Sequence, residues 1–228
     1  IKNRIVTHNL KRFVKIYFKK ERHFRYKSIR AVVLPGVFFP HFTFSTRFLL
    51  SFLDTKELEN ASFLELGCGT GVISVLAASK GADVLATDLN PQAIENAKRN
   101  AEANRVQVKT QLSDLFMSIP KQQFDYIVIN PPYYPKEPAN DAERAWFCGE
   151  DFDYFKRLFS SMSAYMTAAT QVFMVLSEDC DLKEVQRIAG ANKFVFSTVV
   201  EKRIRGERNF IFQICLLYTS DAADDDAC

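Results

Sequence analysis

The order of apolar runs along this chain specifies a doubly wound α/β domain. It is built on a mostly parallel, seven-stranded sheet with an antiparallel last strand. Three observations carry that reading. From residue 62 onward, short apolar runs alternate with helical stretches at the spacing of βαβ units. The run Tyr126-Ile127-Val128-Ile129 is apolar without alternation, as a parallel strand covered on both faces requires. The last two runs are joined by a charged stretch at 201–208, too short for a crossover helix, so they pair antiparallel.

The elements follow in order. Residues 62–66 form the first strand and enter a Gly-rich turn. A helix over 72–80 places Val72, Val75, Leu76 and Ala77 on one stripe. The second strand covers 82–87. A helix over 91–104 opens with Pro91 at its first turn, where a missing N–H costs nothing. Residues 106–112 alternate as a third strand, and 124–130 form the buried fourth. A helix over 152–167, a strand over 171–176, a helix over 182–191 and two closing strands, 193–200 and 209–215, complete the rhythm. Residues 31–61 read as a lead-in containing Phe38, Phe39, Phe42 and Phe44, ending in an apolar helix at 48–53.

The division that results is a basic N-terminal arm and lead-in over 1–44, a main domain over 45–215 and a tail over 216–228. Residues 1–30 hold 11 Lys/Arg against one acid, Glu21, whereas the rest hold 19 against 26. The basic charge is therefore local, and it fits a helix packed on the domain or a contact with RNA, a ribosomal partner or an anionic membrane surface. Val6, Leu10, Phe13, Val14 and Tyr17 recur there at helical spacing. The tail LLYTSDAADDDAC turns abruptly Ala/Asp-rich and is read as a non-native cloning or sequencing junction.

Composition excludes several classes. An apolar fraction of 47% rules out global disorder, and 8 Gly with 8 Pro rule out collagen-like or linker-like chains. Five Cys (68, 148, 180, 215, 228) lack CxxC spacing, and the three His (8, 23, 41) form no ligand pattern with them. No metal site and no disulfide scaffold are expected, and a reducing cytoplasm fits best. No apolar run approaches the 18 residues of a membrane span.

The turn after the first strand reads Leu64-Glu65-Leu66-Gly67-Cys68-Gly69-Thr70-Gly71. Without Cβ atoms, glycines let backbone N–H groups approach a ligand at a helix N-terminus. A dinucleotide fingerprint needs a further Gly where Val72 stands, which disfavours NAD and FAD. Asp88 ends the second strand, placed to accept both hydroxyls of a ribose, and Leu89 follows it. After the third strand, Asp114 is placed to accept from an adenine amino group, with Leu115 and Phe116 sandwiching the ring. All three elements fall at carboxyl ends of parallel strands, where open α/β sheets bind ligands.

This ordered set resembles the Rossmann-like class I S-adenosylmethionine-dependent methyltransferases over about residues 45–215. The resemblance implies S-adenosyl-L-methionine as cofactor. It would be held by Glu65, Gly67, Cys68, Gly69, Thr70, Gly71, Asp88, Leu89, Asp114, Leu115 and Asn130. The resemblance also brings Ser45-Thr46 near the methionyl end of the cofactor.

Asn130-Pro131-Pro132-Tyr133 follows the buried fourth strand. An amide or aromatic amine nitrogen has a delocalised lone pair and is a poor nucleophile. The Asn130 side-chain oxygen and the Pro131 carbonyl can accept both N–H bonds of such an NH2 group, and two prolines stiffen the loop that holds them. Tyr133 offers a flat face to a glutamine amide or a flipped base. The motif narrows the resemblance to N-P-P-Y methyltransferases, which include the HemK/PrmC-type glutamine enzymes (the methyltransferase small domain) and the adenine-N6 enzymes. Guanine-N2 enzymes more often carry Phe in the last place. The implied activity is N-methyl transfer to a protein glutamine of release-factor or ribosome-associated type. The alternatives are transfer to an RNA or DNA base, which the basic arm favours, and an inactive cofactor-binding assembly module. Trp146 is read either as a stacking residue or as core, and Cys68 and Cys148 as packing residues.

Overall fold

A computed structural model describes residues 20–40, 44–140, 143–204 and 206–217. The helical stripe expected at 6–17 and most of the 216–228 tail lie outside them. Seven strands form the main sheet: β3 (Ser62–Leu66), β4 (Asp83–Asp88), β5 (Lys109–Leu112), β6 (Tyr126–Ile129), β7 (Gln171–Ser177), β8 (Phe194–Ile204) and β9 (Glu207–Leu216). Their order across the sheet is β5-β4-β3-β6-β7-β9-β8, and β9 alone runs against the others. The chain steps outward from β3 to β5, then returns to place β6 on the other side of β3. That reversal opens a crevice at the carboxyl ends of β3 and β6.

The apolar runs divide by strand periodicity between two cores. Phe63, Tyr126, Val128, Phe173 and Val175 face one side, under the helices α1 (Phe44–Leu53), α2 (Val72–Ser79) and α3 (Pro91–Ala103). Leu64, Leu66, Ile127, Ile129, Met174 and Leu176 face the other, under α4 (Asp153–Met162) and α5 (Leu182–Ala191).

A separate two-stranded hairpin precedes α1, made of β1 (Arg22–Tyr26) and β2 (Ile29–Val33). It spans the point at which the sequence reading divides arm from lead-in. Phe24, Ile29, Ala31 and Val33 bury its inner face in the first core. Two other boundaries differ from expectation. The helix expected over 152–167 starts after Phe152, held at φ 59°, and ends in a 3-10 turn at Ser163–Tyr165. The stretch expected as a loop at 201–208 is mostly strand, with Arg203 opposite Arg208 and Ile204 opposite Glu207.

Candidate active site

One cavity of about 390 Å³ opens at the crevice. Its walls bring together Glu65, Gly67, Cys68, Gly69, Thr70, Asp88, Leu89, Asp114, Leu115 and the whole Asn130–Tyr133 segment. Register explains the convergence: Leu66 lies opposite both Thr87 and Ile129, and Asp88 opposite Leu112, so four strands deliver their next residues to one place.

The Gly-rich turn is tied down by its neighbours. The N–H groups of Gly67 and Cys68 both donate to the Thr87 carbonyl at 2.8 Å, and that of Gly69 donates to Asp88 Oδ2 at 2.8 Å. Gly67 and Gly69 hold φ values of +73° and +52°, and a Cβ added to either meets nothing within 4 Å. The space in front of the turn is therefore open. Gly71, predicted with them, is different. It does not line the cavity, and a Cβ there falls 2.6 Å from Ala97 Cβ, so this glycine lets α2 and α3 close together.

Asp88 uses one oxygen for Gly69 and the other for the Asn90 N–H at 2.9 Å. The Leu89 N–H also bears on this carboxylate. Burial pushes the Asp88 carboxyl up, against the pull of those N–H bonds. Glu65 is buried at the cavity floor and accepts from both the N–H and the hydroxyl of Ser74. Burial lifts its carboxyl to about 8, so a cation in the cavity favours its ionised form.

Asp114 forms an ion pair with Arg157 of α4 at 2.7 Å. Nothing in the sequence pattern singled out Arg157. Leu115 lines the cavity at φ +50°, whereas Phe116 does not. Phe116 is buried, with its ring stacked 4.5 Å from Tyr165, so the expected two-sided sandwich has only Leu115 from this segment. Cys68 and Cys148 are buried free thiols. Burial pushes both up, Cys148 to about 11, which suits packing rather than nucleophilic work.

On the opposite wall, Asn130 Nδ2 donates to the Thr46 hydroxyl of α1 at 3.3 Å. The Tyr133 ring lies 4.8 Å from Tyr134, and its hydroxyl accepts from Ser177 at 3.5 Å. Beyond the motif, the Tyr134 N–H donates to the Trp146 carbonyl and the Cys148 N–H to the Tyr134 carbonyl. Trp146 is held there as a half-buried wall residue, with Phe38 meeting it edge-on at 4.9 Å. Phe38, Asn90, Tyr154 and Arg157 are wall residues that the motifs did not flag.

Open glycines, a buried carboxylate at the end of β4 and an ionisable carboxyl at the floor fit S-adenosyl-L-methionine, which carries a ribose, an adenine, a sulfonium cation and an amino-acid end. Fold and cavity together define a class I S-adenosylmethionine-dependent methyltransferase domain; solved methyltransferases of this fold hold the cofactor. Residues 28–190 match the methyltransferase small domain, and the chain belongs to that family.

The chain is 44% identical over 80 residues to a putative protein N5-glutamine methyltransferase of Methanocaldococcus jannaschii, covering 35% of this chain and 40% of that protein. It is 33% identical over 124 residues to ribosomal RNA small subunit methyltransferase C of Haemophilus influenzae, covering 53% and 37%. It thus spans less than half the length of either relative. Among solved structures, it is similar to the E. cuniculi Mtq2–Trm112 complex, which methylates the termination factor eRF1, at TM-score 0.61 and 23% identity over 78% of this chain and 98% of that one. Among the described residues, no helix is long and apolar enough to cross a membrane, and no cluster could hold a metal ion.

Proposed function

We propose that this domain methylates a planar NH2 nitrogen, and that the acceptor is a protein glutamine side chain of release-factor type. The observation that carries the first part is the pairing of Asn130 with Thr46. With Nδ2 donating to Thr46, the amide oxygen is left to accept from a substrate N–H. The Pro131 carbonyl accepts the second, and the rigid backbone fixes both acceptors before substrate arrives. Two such bonds draw the nitrogen out of resonance and aim its lone pair into the cavity. When bound, S-adenosylmethionine supplies the electrophilic methyl group.

The charge of the walls supports a protein acceptor. Among the described wall residues, Asp88, Glu137 and Asp153 stand against Arg144, while Asp114 and Arg157 pair with each other and Glu65, lifted to about 8, adds negative charge only when it ionises. A polyanion approaching this mouth meets like charge. The M. jannaschii relative and the eRF1-modifying neighbour point the same way.

One observation favours an RNA base instead. The outer face of the hairpin exposes His23, Arg25, Lys27 and Arg30, continuing the basic arm, and the H. influenzae relative acts on ribosomal RNA. Tritium transfer from labelled cofactor into purified release factor and, separately, into ribosomal RNA tests the two. Label in the protein is the expected result, and label confined to RNA reverses the choice of acceptor.

A further inference from the structure

Helix α3 carries Asn96 and Asn100, its C-terminal cap Asn104 continues the four-residue spacing, and all three side chains bond the free edge of β2. The Leu34 N–H donates to Asn96 Oδ1 at 2.9 Å, the Val32 N–H to Asn100 Oδ1 at 2.9 Å and the Arg30 N–H to Asn104 Oδ1 at 3.1 Å. In return, Asn96 and Asn100 donate to the Val32 carbonyl at 2.8 Å each, and Asn104 donates to the Arg30 carbonyl at 2.7 Å. The match is geometric. Four residues of helix rise about 6 Å, and two residues of strand rise about 6.7 Å. A row of asparagines on a helix can therefore act as a third strand, closing an edge that would otherwise face solvent.

The row also reaches the cofactor turn. The second N–H of Asn100 Nδ2 donates to the Thr70 carbonyl at 2.8 Å, and Thr70 lines the cavity. Asn90, whose own N–H is held by Asp88, donates its Nδ2 to the Gly36 carbonyl at 3.1 Å. Gly36, Val37 and Phe38 then form part of the cavity wall. Asn100 is 0% exposed and every polar hydrogen and acceptor it needs to satisfy has a partner, so it cannot let go of the hairpin without leaving a buried polar group unmade.

The geometry points to one linked equilibrium: docking of the β1–β2 hairpin on α3 and seating of S-adenosylmethionine in the turn, with Asn96, Asn100 and Asn104 as positioning residues and Asn100 as the shared link. The linkage rests on the cofactor alone and holds whichever acceptor is used.

Linkage is reciprocal, so it is read from both ends. Asn104 is the probe used, because it lines no part of the cavity and does not touch the turn, its one other side-chain bond being from Nδ2 to the Asn100 carbonyl at 2.7 Å. Asn104→Ala should weaken S-adenosylmethionine binding about fivefold or more in titration calorimetry of the folded protein. In the unaltered protein, saturating S-adenosylmethionine should slow hydrogen exchange of the Val32 and Leu34 amides by a comparable factor. It should leave amides of β8 that exchange by local opening unchanged. The exchange arm needs no variant and so stands even if Asn104→Ala folds poorly. Wild-type affinity in Asn104→Ala, or hairpin exchange indifferent to the cofactor, overturns the linkage.

Discussion

Asn130 and Thr46 lie 84 positions apart in the chain, yet the Asn130 amide donates to the Thr46 hydroxyl at 3.3 Å, joining the end of β6 to helix α1. Thr46 is 4% exposed and lines the same cavity. In the proposed mechanism this bond leaves the Asn130 amide oxygen to a substrate N–H. Thr46→Val keeps the shape and removes the acceptor, so turnover should fall about tenfold or more through misorientation alone. Thr46→Ser should restore it. Asn130→Ala should cost about a hundredfold. Cofactor affinity should stay within about twofold of wild type for the two Thr46 variants. A turnover-neutral Thr46→Val removes Thr46 from this role.

Both Asp88 oxygens are engaged by backbone N–H groups, and the proposed cofactor site asks the same two oxygens to accept the ribose hydroxyls. Asp88→Ala should cost about 3 kcal/mol of cofactor binding, near a hundredfold in Kd, since a hydrogen bond to a charged group is worth about 1.5–3 kcal/mol and two are removed. Titration calorimetry reads this directly, and unchanged affinity contradicts the ribose assignment.

Glu65 makes stability depend on pH with a definite sign. Its carboxyl ionises at about 8 in the folded protein and at about 4.3 when unfolded. Between those values the folded state holds the extra proton, so stability falls as pH rises across that window. Below it, both states are protonated and the burial carries no penalty. Glu65→Gln cannot ionise and its oxygen still accepts from Ser74. The variant should melt higher than wild type near about pH 8.5, with the gap narrowing toward about pH 4.5. A difference in Tm that does not vary with pH is the contrary result.

The glycines of one motif separate by consequence. Gly71→Ala meets Ala97 at 2.6 Å from a φ of +71° and should destabilise the domain by more than about 2 kcal/mol. Gly67→Ala meets nothing within 4 Å. It should cost about 1 kcal/mol for its backbone and act chiefly on cofactor affinity. Urea midpoints and calorimetry distinguish them.

These glycines mark the boundary of what the residues disclosed in advance. G-x-G-x-G announces a turn, but which glycine faces the ligand depends on where Ala97 sits, well along the chain. The alternating core was legible because its parallel strands are unbroken apolar runs, and Ser62–Leu66 and Leu182–Ala191 stand where periodicity placed them. The hairpin was not. Its turn uses Lys27 at φ +48° where a Gly or Asn would have signalled it, and its free edge is satisfied by a helix, for which strand patterning carries no sign. A sign did exist on α3. Two asparagines inside the helix, weak helix formers, and a third capping it at the same four-residue spacing ask for a tertiary reason.

On the hairpin, β1 and β2 set Arg25 directly opposite Arg30, both exposed. Like charges so placed destabilise a strand pair. Arg25 gives Nε to the Lys27 carbonyl at 3.2 Å, a neutral acceptor that does not balance its charge. Arg25→Glu turns the repulsion into a cross-strand ion pair, so Tm should rise slightly, by the equivalent of about 0.5 kcal/mol. The same change takes two units of positive charge off the outer face. If that face tracks a nucleic acid backbone, RNA affinity should fall, and the slope of log K against log salt should shrink by about 0.9 for each phosphate no longer neutralised. A protein acceptor held at the acidic mouth predicts the stability gain with label transfer unchanged. One substitution thus reads the hairpin's energetics from melting and the acceptor's chemistry from the salt slope, and the two readouts do not depend on each other.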